Sequence, residues 1–252
     1  MPQIALTTDI GEGFGRWTLA DDDALLAVVT GANIACGFHG GDPRTMRKTC
    51  ETAVRRGVAI GAQVSYRDLH GFGRRYIAAS RDELTGDLIY QLGALHAFAR
   101  IAGGKIDYVR AHGALYNTAA HDAEHAQAIV DAVTAFDKEL PLLCQVRTEQ
   151  WSRAQAAGVR VISEAFVDRA YTPEGLLVPR TQPDAMITDP ALAAERAVAM
   201  ATGGTIAAQD GSRISVHAEA LLVHCDTAGS VQIARKVRAA LEAADVELRP
   251  VS

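Results

Sequence analysis

Short apolar runs alternate with longer amphipathic stretches along most of the chain. The short runs predict buried strands, and the amphipathic stretches between most of them predict helices. The predicted strands are residues 4–8, 32–35, 59–62, 108–110, 141–144, 159–163, 205–208 and 221–224.

The predicted helices have recognisable starting signals. Asp42-Pro43 and Asp189-Pro190 each place an acidic N-cap before a proline at the first helical position. Ser80-Arg81-Asp82-Glu83 has the spacing of a capping box, ahead of a long helix that reaches towards Gly103. Further helices are predicted over residues 21–30, 123–136, 148–157 and 229–244.

The repeated strand–helix order indicates parallel strands joined by helical crossovers. No linker, repeat or low-complexity segment interrupts it, so we predict one domain over residues 1–252. An open Rossmann sheet is expected to carry G-x-G-x-x-G after its first strand, whereas residues 11–15 read GEGFG. The sequence therefore predicts an α/β protein with a single TIM-like β/α barrel of seven or eight strands.

Composition and charge exclude several classes of function. The formal net charge of -5 argues against nucleic-acid binding, which needs a basic face. No apolar run approaches the ~18 residues of a spanning helix, and the first residues lack a signal-peptide pattern. The four cysteines, Cys36, Cys50, Cys144 and Cys225, form no C-x-x-C pair. We therefore expect a cytoplasmic protein with reduced thiols and no membrane attachment.

Polar residues follow most of the predicted strands directly. In a parallel barrel the carboxyl ends of the strands share one rim, where active sites lie. Functional groups after several separate strands favour a site at this mouth, although loops are polar in any protein. The candidate site residues are Asp9, His39, Asp42, Asp68, Arg74, Arg75, His112, Tyr116, Asn117, Asp168, Arg169, His224 and Asp226.

Two other motifs do not predict a function. Residues 121–125 match the H-x-x-E-H pattern of some metalloproteases, but they lie at a helix start, where polar residues are favoured. We interpret them as a surface helix turn. Gly104-Lys105 lacks the first glycine and the Ser/Thr of a Walker A motif, so the phosphate cradle is absent.

The same mouth segments resemble the LamB/YcsF family. The resemblance covers essentially the whole chain and the order of its motifs. The matching stretches are D-x-GEGFG at 9–15, ANIACGFH at 32–39, GDP at 41–43, DL-x-GFGRR at 68–75, YQLGAL at 90–95, HGALYN at 112–117, DRAY at 168–171, LVPR at 177–180 and VH-x-DT at 223–227.

The resemblance implies a β/α barrel related to polysaccharide deacetylases that acts with two partner subunits. Family members are assigned as the A subunit of a 5-oxoprolinase, an enzyme that hydrolyses 5-oxo-L-proline to L-glutamate while cleaving ATP. An unstrained lactam is resonance-stabilised, and phosphorylating its oxygen creates a good leaving group at the carbonyl carbon. Such a site needs cations and N–H donors around the phosphates and a base that directs water.

Roles for the candidates follow from this chemistry. Three candidates, His112, Asp9 and His39, are expected to be catalytic, and His112 is the expected general base because imidazole accepts a proton near neutral pH. Asp9 and Asp42 are candidates for holding a Mg²⁺ that arrives with ATP, or for orienting His39. Either aspartate could instead be a cap or turn residue.

The remaining candidates are expected to bind substrate or nucleotide. Arg74 and Arg75 suit phosphate or carboxylate, because guanidinium groups bind both. His224 and Asp226 form a possible second pair. The others in this group are Asp68, Tyr116, Asn117, Asp168 and Arg169.

The chain departs from the family pattern at several mouth segments. Where the family reads D-L-N-C-D, residues 5–9 read ALTTD, so that Ala5 replaces an acid. Gln63 replaces a histidine, and Ala111, Cys225 and Ala228 replace family proline or glycine. Imidazole is a good ligand for Zn²⁺ and an amide oxygen is a weak one, so we expect no tightly bound zinc.

Two alternatives remain open. A metal-dependent deacetylase or amidohydrolase needs no ATP and is suggested by the barrel relationship together with Asp9, His39 and His112. A non-catalytic binding subunit would tolerate the departures at the mouth. ATP-independent amide cleavage with bound metal would identify the first, and binding without turnover the second.

Overall fold

The computed structural model of the chain describes residues 1–251, and seven of its parallel strands close into a barrel. The first six strands pair in sequence order, and the ninth pairs with both the sixth and the first. The strands are β1 Gln3–Ile10, β2 Gly31–Ala35, β3 Ala59–Val64, β4 Tyr108–Ala111, β5 Leu142–Cys144, β6 Val161–Phe166, β7 Thr205–Ala207, β8 Arg213–Ser215, β9 Ala220–Val223 and β10 Glu247–Leu248.

Helices cover the outside of the barrel, and their predicted starts are confirmed. Asp42 and Asp189 cap the helices that follow them, with proline at the first turn of each. Ser80 and Glu83 form a reciprocal capping box. The helices are α1 Asp22–Leu26, α2 Pro43–Arg56, α3 Arg81–Ile101, α4 Gly113–Ala119, α5 Ala123–Asp137, α6 Glu149–Ala156, α7 Pro190–Ala201 and α8 Ser230–Ala243.

The seventh predicted strand, at residues 205–208, is not part of the barrel. It forms β7, which pairs in antiparallel fashion with β8 as a separate two-stranded sheet. Only Ile206 of β7 is buried, whereas β2, β3, β4, β5 and β9 are buried at every position. A strand with one buried face suits an antiparallel ribbon, so the barrel has the smaller of the two predicted strand numbers.

The apolar core has two parts. The larger lies between the strands and the surrounding helices, and it includes Leu6, Ile34 and Leu92. The smaller fills the lower part of the barrel lumen, below the mouth, with Ala5, Ala59, Tyr108, Leu143, Ile162, Ala220 and Val251. This apolar plug leaves the upper lumen as the place for polar chemistry.

All four cysteines are buried free thiols, as predicted from their spacing. Among the described residues, no helix combines the length and the hydropathy that crossing a bilayer requires.

Candidate functional site

A cavity of about 650 Å³ opens at the carboxyl ends of the barrel strands. Side chains from β1, β4 and β6 line it, together with α4 and residues 176–181, which follow β6 in the chain. A cavity of this size accommodates a small molecule. The candidate site residues that line it are Asp9, Arg74, His112, Tyr116, Asn117, Arg169 and His224.

Arg110 also lines the cavity and anchors a buried polar network. Its guanidinium donates to Glu164 Oε1 at 2.7 Å and to Asp9 Oδ1 at 3.2 Å. Asn33 donates to the same Asp9 oxygen at 2.9 Å, and Tyr108 donates to Asn33 at 2.7 Å. Four strands thus contribute to one hydrogen-bonded network inside the barrel.

The charges of this network are only partly balanced. Burial alone would lower the pKa of Arg110, but Asp9 and Glu164 outweigh burial and raise that pKa above its ordinary value. Burial raises the pKa of Glu164 against the opposing effect of Arg110. Among residues 1–251, Glu164 Oε2 and the Tyr116 hydroxyl have no hydrogen-bond partner. Buried polar atoms of this kind are normally satisfied by water or a ligand.

Three histidines line the cavity, and the first of the two that are buried, His112, is held through both ring nitrogens. Its Nε2–H donates to the Phe72 carbonyl at 2.9 Å, and its Nδ1 accepts from the Gln63 amide at 2.9 Å. This pattern corresponds to a neutral ring. Burial and the neighbouring His39 hold the pKa of His112 well below its ordinary value, so the ring is uncharged at neutral pH.

His112 belongs to a buried cluster with Glu12 and His39, which lie behind it. His39 Nε2 donates to Glu12 Oε1 at 3.2 Å, and His112 Nδ1 lies 3.4 Å from the same oxygen. The two imidazole rings stack with centroids 3.8 Å apart. Cys225 Sγ donates to Glu12 Oε2 at 3.0 Å, and burial followed by Glu12 raises the pKa of this thiol well above its ordinary value. Cys225 is therefore a protonated hydrogen-bond donor and not a nucleophile.

Two glycines allow the loop after β3 to close over these imidazoles. Gly73 has a φ of +64°, and a Cβ there would lie 2.8 Å from His39 Cβ and 2.9 Å from His112 Cδ2. Gly113 has a φ of +59° and packs against Gly73, whose carbonyl accepts from the Ala114 amide at 2.8 Å. Both positions therefore require a residue without a side chain.

The second imidazole, His224, is held through one ring nitrogen only. Its Nδ1–H donates to Asp168 Oδ1 at 2.9 Å, and its backbone N–H donates to Asp168 Oδ2 at 2.8 Å. The Phe166 ring stacks against the imidazole with centroids 5.5 Å apart. Burial alone would raise the pKa of Asp168, but His224 outweighs burial and lowers it, so Asp168 is ionised at neutral pH. The second ring nitrogen, Nε2, has no hydrogen-bond partner within residues 1–251, and its lone pair is free for chemistry.

Arg74 and Arg169 line the cavity, and each guanidinium group is bonded to an acceptor within the protein. Arg74 pairs with Asp226 at 2.5 Å. Arg169 donates to the backbone carbonyl of Val178 at 2.5 Å. Burial, with a further contribution from Arg180, lowers the pKa of Arg169 to about 10. The mouth is therefore rich in guanidinium groups, which suits an anionic ligand.

Six candidates do not line the cavity, and three of them, Asp42, Asp68 and Arg75, shape the loops around it. Asp42 is the N-cap of α2, and its two oxygens accept three backbone N–H groups. Asp68 is buried and accepts from Arg75 Nε at 2.9 Å, which fixes the loop over residues 68–75. Their charges are thus used within the protein itself.

Glu12, His39 and His112 are of the residue types that bind zinc, and one ligand atom from each lies within 4.8 Å of the others. Their hydrogen bonds decide whether an ion fits. His39 Nε2 directs a proton at Glu12, and the His112 Nδ1 lone pair accepts from Gln63. No nitrogen lone pair of the cluster is therefore directed at a common point. As arranged, these residues do not fit a resident transition metal.

The set of site residues drawn from the sequence did not include Arg110 or Arg180. Glu12 and Glu164 stand among the polar residues that follow the first and sixth predicted strands, but they were given no role. A usable signal was present for Arg110 and Glu164. Arg110 occupies an alternate position of β4 between Tyr108 and His112, and Glu164 has the corresponding place in β6. Charged residues at alternate positions of a fully buried barrel strand indicate that they face the lumen.

Comparison with known proteins gives a consistent result over the full length. The model of the LamB/YcsF family matches residues 4–252. The A subunit of a 5-oxoprolinase from Streptomyces avermitilis is 53% identical over 245 residues, which cover 97% of this chain and 98% of the relative. The corresponding 5-oxoprolinase protein from Mycobacterium avium is 50% identical over 249 residues, 99% of each chain.

A solved structure extends this similarity to the fold. The crystal structure of a lactam utilization protein from Thermus thermophilus is 43% identical and has a TM-score of 0.94. The match covers 98% of this chain and 99% of that protein. The chain belongs to the LamB/YcsF family.

Proposed function

We propose that this chain is the A subunit of an ATP-dependent 5-oxoprolinase and contains the site where the lactam of 5-oxo-L-proline is opened to L-glutamate. The observation that carries the proposal is the full-length similarity to relatives that are named as this 5-oxoprolinase component. The mouth cavity supports it, because a free imidazole nitrogen and several cationic side chains line one small volume. A hydrolytic ring opening needs groups of these types.

His224 is the general base in this proposal. Its Nε2 is unoccupied, and the buried Asp168 fixes the tautomer and stabilises the imidazolium that forms when water is deprotonated. His112 is the base expected from the sequence, but protein groups engage both of its ring nitrogens. We assign His112 a positioning role, in which it holds the loop that carries Phe72.

Tyr116 and Arg110 supply hydrogen-bond donors for the phosphorylated lactam oxygen. Water adds to the carbon that carries this oxygen, and the C–N bond breaks as His224 returns the proton to the ring nitrogen. The oxygen gains negative charge when the resulting acyl phosphate is hydrolysed to L-glutamate and inorganic phosphate leaves. Burial raises the pKa of Tyr116 well above its ordinary value, so the phenol keeps its proton. The Arg110 guanidinium lies 5.0 Å from the centroid of the Tyr116 ring. Preorganised donors in a site with little water stabilise an oxyanion strongly.

We propose that the chain acts with two partner subunits and that these subunits bind the ATP. The chain carries no Walker A motif, and phosphorylation of the lactam oxygen needs a nucleotide site. Among the two aspartates considered for Mg²⁺, Asp9 lines the cavity and has no hydrogen bond to its Oδ2 within residues 1–251. Asp42 has both oxygens engaged, Oδ1 in capping α2 and Oδ2 with the Gly15 amide. Asp9 is therefore the carboxylate that would hold a Mg²⁺ arriving with nucleotide.

The loop after β1 is the surface on which we place a partner subunit. Phe14 is 41% exposed, Trp17 is 74% exposed and Leu19 is 47% exposed. Backbone hydrogen bonds of 2.9 Å between Phe14 and Trp17 hold the loop as a small hairpin, beside a groove of about 450 Å³ against α1 and α2. Neighbouring apolar side chains exposed on a rim are typical of an interaction site, and a component of a multi-subunit enzyme needs one.

Reconstitution tests the proposed function. The chain is co-purified with its two partner subunits, and glutamate release from 5-oxo-L-proline is measured with and without ATP and Mg²⁺. We expect ATP-dependent turnover by the complex and little turnover by the chain alone, because the lactam carbonyl is a poor electrophile until it is activated. ATP-independent amide cleavage by the chain alone would contradict the proposal.

A variant pair tests the docking surface in the same preparation. Trp17→Ser should reduce co-purification of the partners, because it removes the most exposed aromatic group of the rim loop. Leu192→Ser is the matched control, since Leu192 is 44% exposed on α7, away from that loop. Equal recovery of partners with both variants would place the interface elsewhere.

A further inference from the structure

We propose that Arg180 forms a carboxylate-binding subsite in the mouth cavity and holds the ring carboxylate of the substrate. The inference rests on the proposed function, because 5-oxoproline carries one carboxylate beside its lactam. Arg180 lies in the segment that follows β6, and it lines the same cavity as His224. Both residues therefore face the volume in which a substrate would bind.

The other arginines that line the cavity already have partners. Arg110 is paired with two buried carboxylates. Arg74 forms an ion pair with Asp226. Arg169 donates to the backbone carbonyls of Val178 and Ala185. Each of these guanidinium groups already has at least one protein acceptor, so a substrate anion would have to share the group with that acceptor.

Arg180 differs because no carboxylate or carbonyl among residues 1–251 lies within hydrogen-bond distance of its guanidinium. It is partly buried, and burial followed by the neighbouring Arg74 lowers its pKa. A partly desolvated cation with another cation nearby is unfavourable until an anion neutralises it. Arg180 is therefore the guanidinium of this cavity that gains most from a bound anion.

The charge balance around Arg180 favours a single carboxylate over a polyphosphate. Three arginines, Arg74, Arg169 and Arg180, face two ionised aspartates, Asp168 and Asp226. This group has one excess positive charge when His224 is neutral. The Arg110 network below it has two carboxylates for one guanidinium, which disfavours a highly charged anion.

Calorimetric titration of ligands into the full-length chain measures equilibrium binding and tests the subsite. The ligands are 5-oxo-L-proline and 2-pyrrolidinone, which is the same lactam without the carboxylate. We expect Arg180→Gln to weaken 5-oxoproline binding about 10- to 100-fold, the range for losing a charge-assisted hydrogen bond. The affinity for 2-pyrrolidinone should not change. Arg160→Gln, at an exposed position before β6, is the control and should leave both affinities as in the wild type.

The outcomes separate the two proposals. Unchanged 5-oxoproline binding in Arg180→Gln, with normal turnover by the reconstituted complex, would overturn the subsite and leave the proposed function standing. A loss of affinity for inorganic phosphate or ATP, with 5-oxoproline binding intact, would assign Arg180 to the nucleotide and also overturn the subsite. Failure of the wild-type chain and complex to bind 5-oxoproline would overturn both proposals.

Discussion

The two buried histidines that line the mouth cavity, His112 and His224, have contrasting surroundings. His112 has a protein partner at each ring nitrogen, and it stacks on His39 beside Glu12. His224 is tied at Nδ1 to Asp168 and keeps Nε2 free. Both rings are buried and both line the cavity. Residue type and location at the mouth are thus the same for the two, and the hydrogen-bond partners alone distinguish the proposed base from the proposed positioning residue.

The difference in hydrogen-bond partners bears on which of the two histidines can act as a general base. A general base needs one nitrogen with a lone pair that faces the substrate and a second that is fixed in position. His224 meets both conditions, whereas His112 meets only the second. The variants below test whether the chemical and structural roles divide between the two histidines in this way.

The largest effect is expected for His224→Gln in the reconstituted complex. Loss of the base should lower kcat about 10²- to 10⁴-fold, the usual contribution of a positioned acid or base. The measurement is ATP-dependent glutamate release, with the unfolding temperature as a check of the fold. His217→Gln, at an exposed position before β9, serves as the control. Near-wild-type kcat in a folded His224→Gln protein would return the base role to His112.

The next largest effect concerns the free energy of unfolding, which should fall more when His112 is replaced than when His224 is replaced. In His112→Ala the Gln63 amide and the Phe72 carbonyl lose their partners, and a cavity forms under the loop that Gly73 closes. We expect a loss of about 2–4 kcal/mol in the free energy of unfolding.

Chemical denaturation of His112→Ala and His224→Ala measures this difference. The second variant should lose less, because His224 lines the cavity, so that water can fill the space left by its ring and reach the buried Asp168. A larger loss in His224→Ala would reverse the assignment of the structural role.

Much of the fold was predictable from the sequence, because the signals are local. The capping residues of α2, α3 and α7 lie where the sequence placed them, and the apolar runs correspond to barrel strands. The exception is residues 205–207, whose partner β8 is not apolar enough to stand out. A pairing between two short, half-exposed strands depends on tertiary contacts that one sequence does not reveal.

The site was predicted only in outline, because its chemistry depends on contacts between distant segments. The location at the carboxyl ends of the strands follows from topology. That Arg110 meets Asp9, or that Asp168 meets His224, follows from strand order and register around the closed barrel, with separations of 101 and 56 residues. Nothing in the local sequence distinguishes the engaged His112 from the free His224.

The departure from the family pattern at Ala5 is a second case in which the local sequence did not reveal the position of a side chain. The sequence suggested that its missing acid belonged to the mouth. In the structure Ala5 lies in the apolar plug of the lower lumen with Ala59 and Tyr108, four residues before Asp9. An acid there would face the plug, so Ala5 bears on packing in the lower lumen and not directly on the site.

A smaller effect is expected in the pH dependence of stability. The folded-state pKa of His112 is lowered by burial and His39, whereas an unfolded histidine titrates near 6.5. As the pH falls below about 6.5, the unfolded chain binds a proton that the folded chain does not, so the free energy of unfolding decreases. The slope is about 1.4 kcal/mol per pH unit for one such proton.

Unfolding curves between pH 7.5 and 5.5 measure this slope. His112→Gln should flatten it, because the variant has no titrating group at that position. His217→Gln should retain it, since His217 is exposed. The same slope in wild type and in both variants would show that other groups govern the acid sensitivity.

The last prediction is that wild-type protein purified without added metal contains no stoichiometric zinc. Although Glu12, His39 and His112 are close together, the Gln63 amide donates to the nitrogen that would have to bind the ion. Gln63→His replaces that donor with a second imidazole at the same strand position, and we expect this variant to bind Zn²⁺. Elemental analysis of the two proteins makes the comparison. Close to one zinc per chain in the wild type would contradict the prediction and favour a metal-dependent amidohydrolase. Zinc in the variant alone would show that Gln63 keeps the His112 site free of metal.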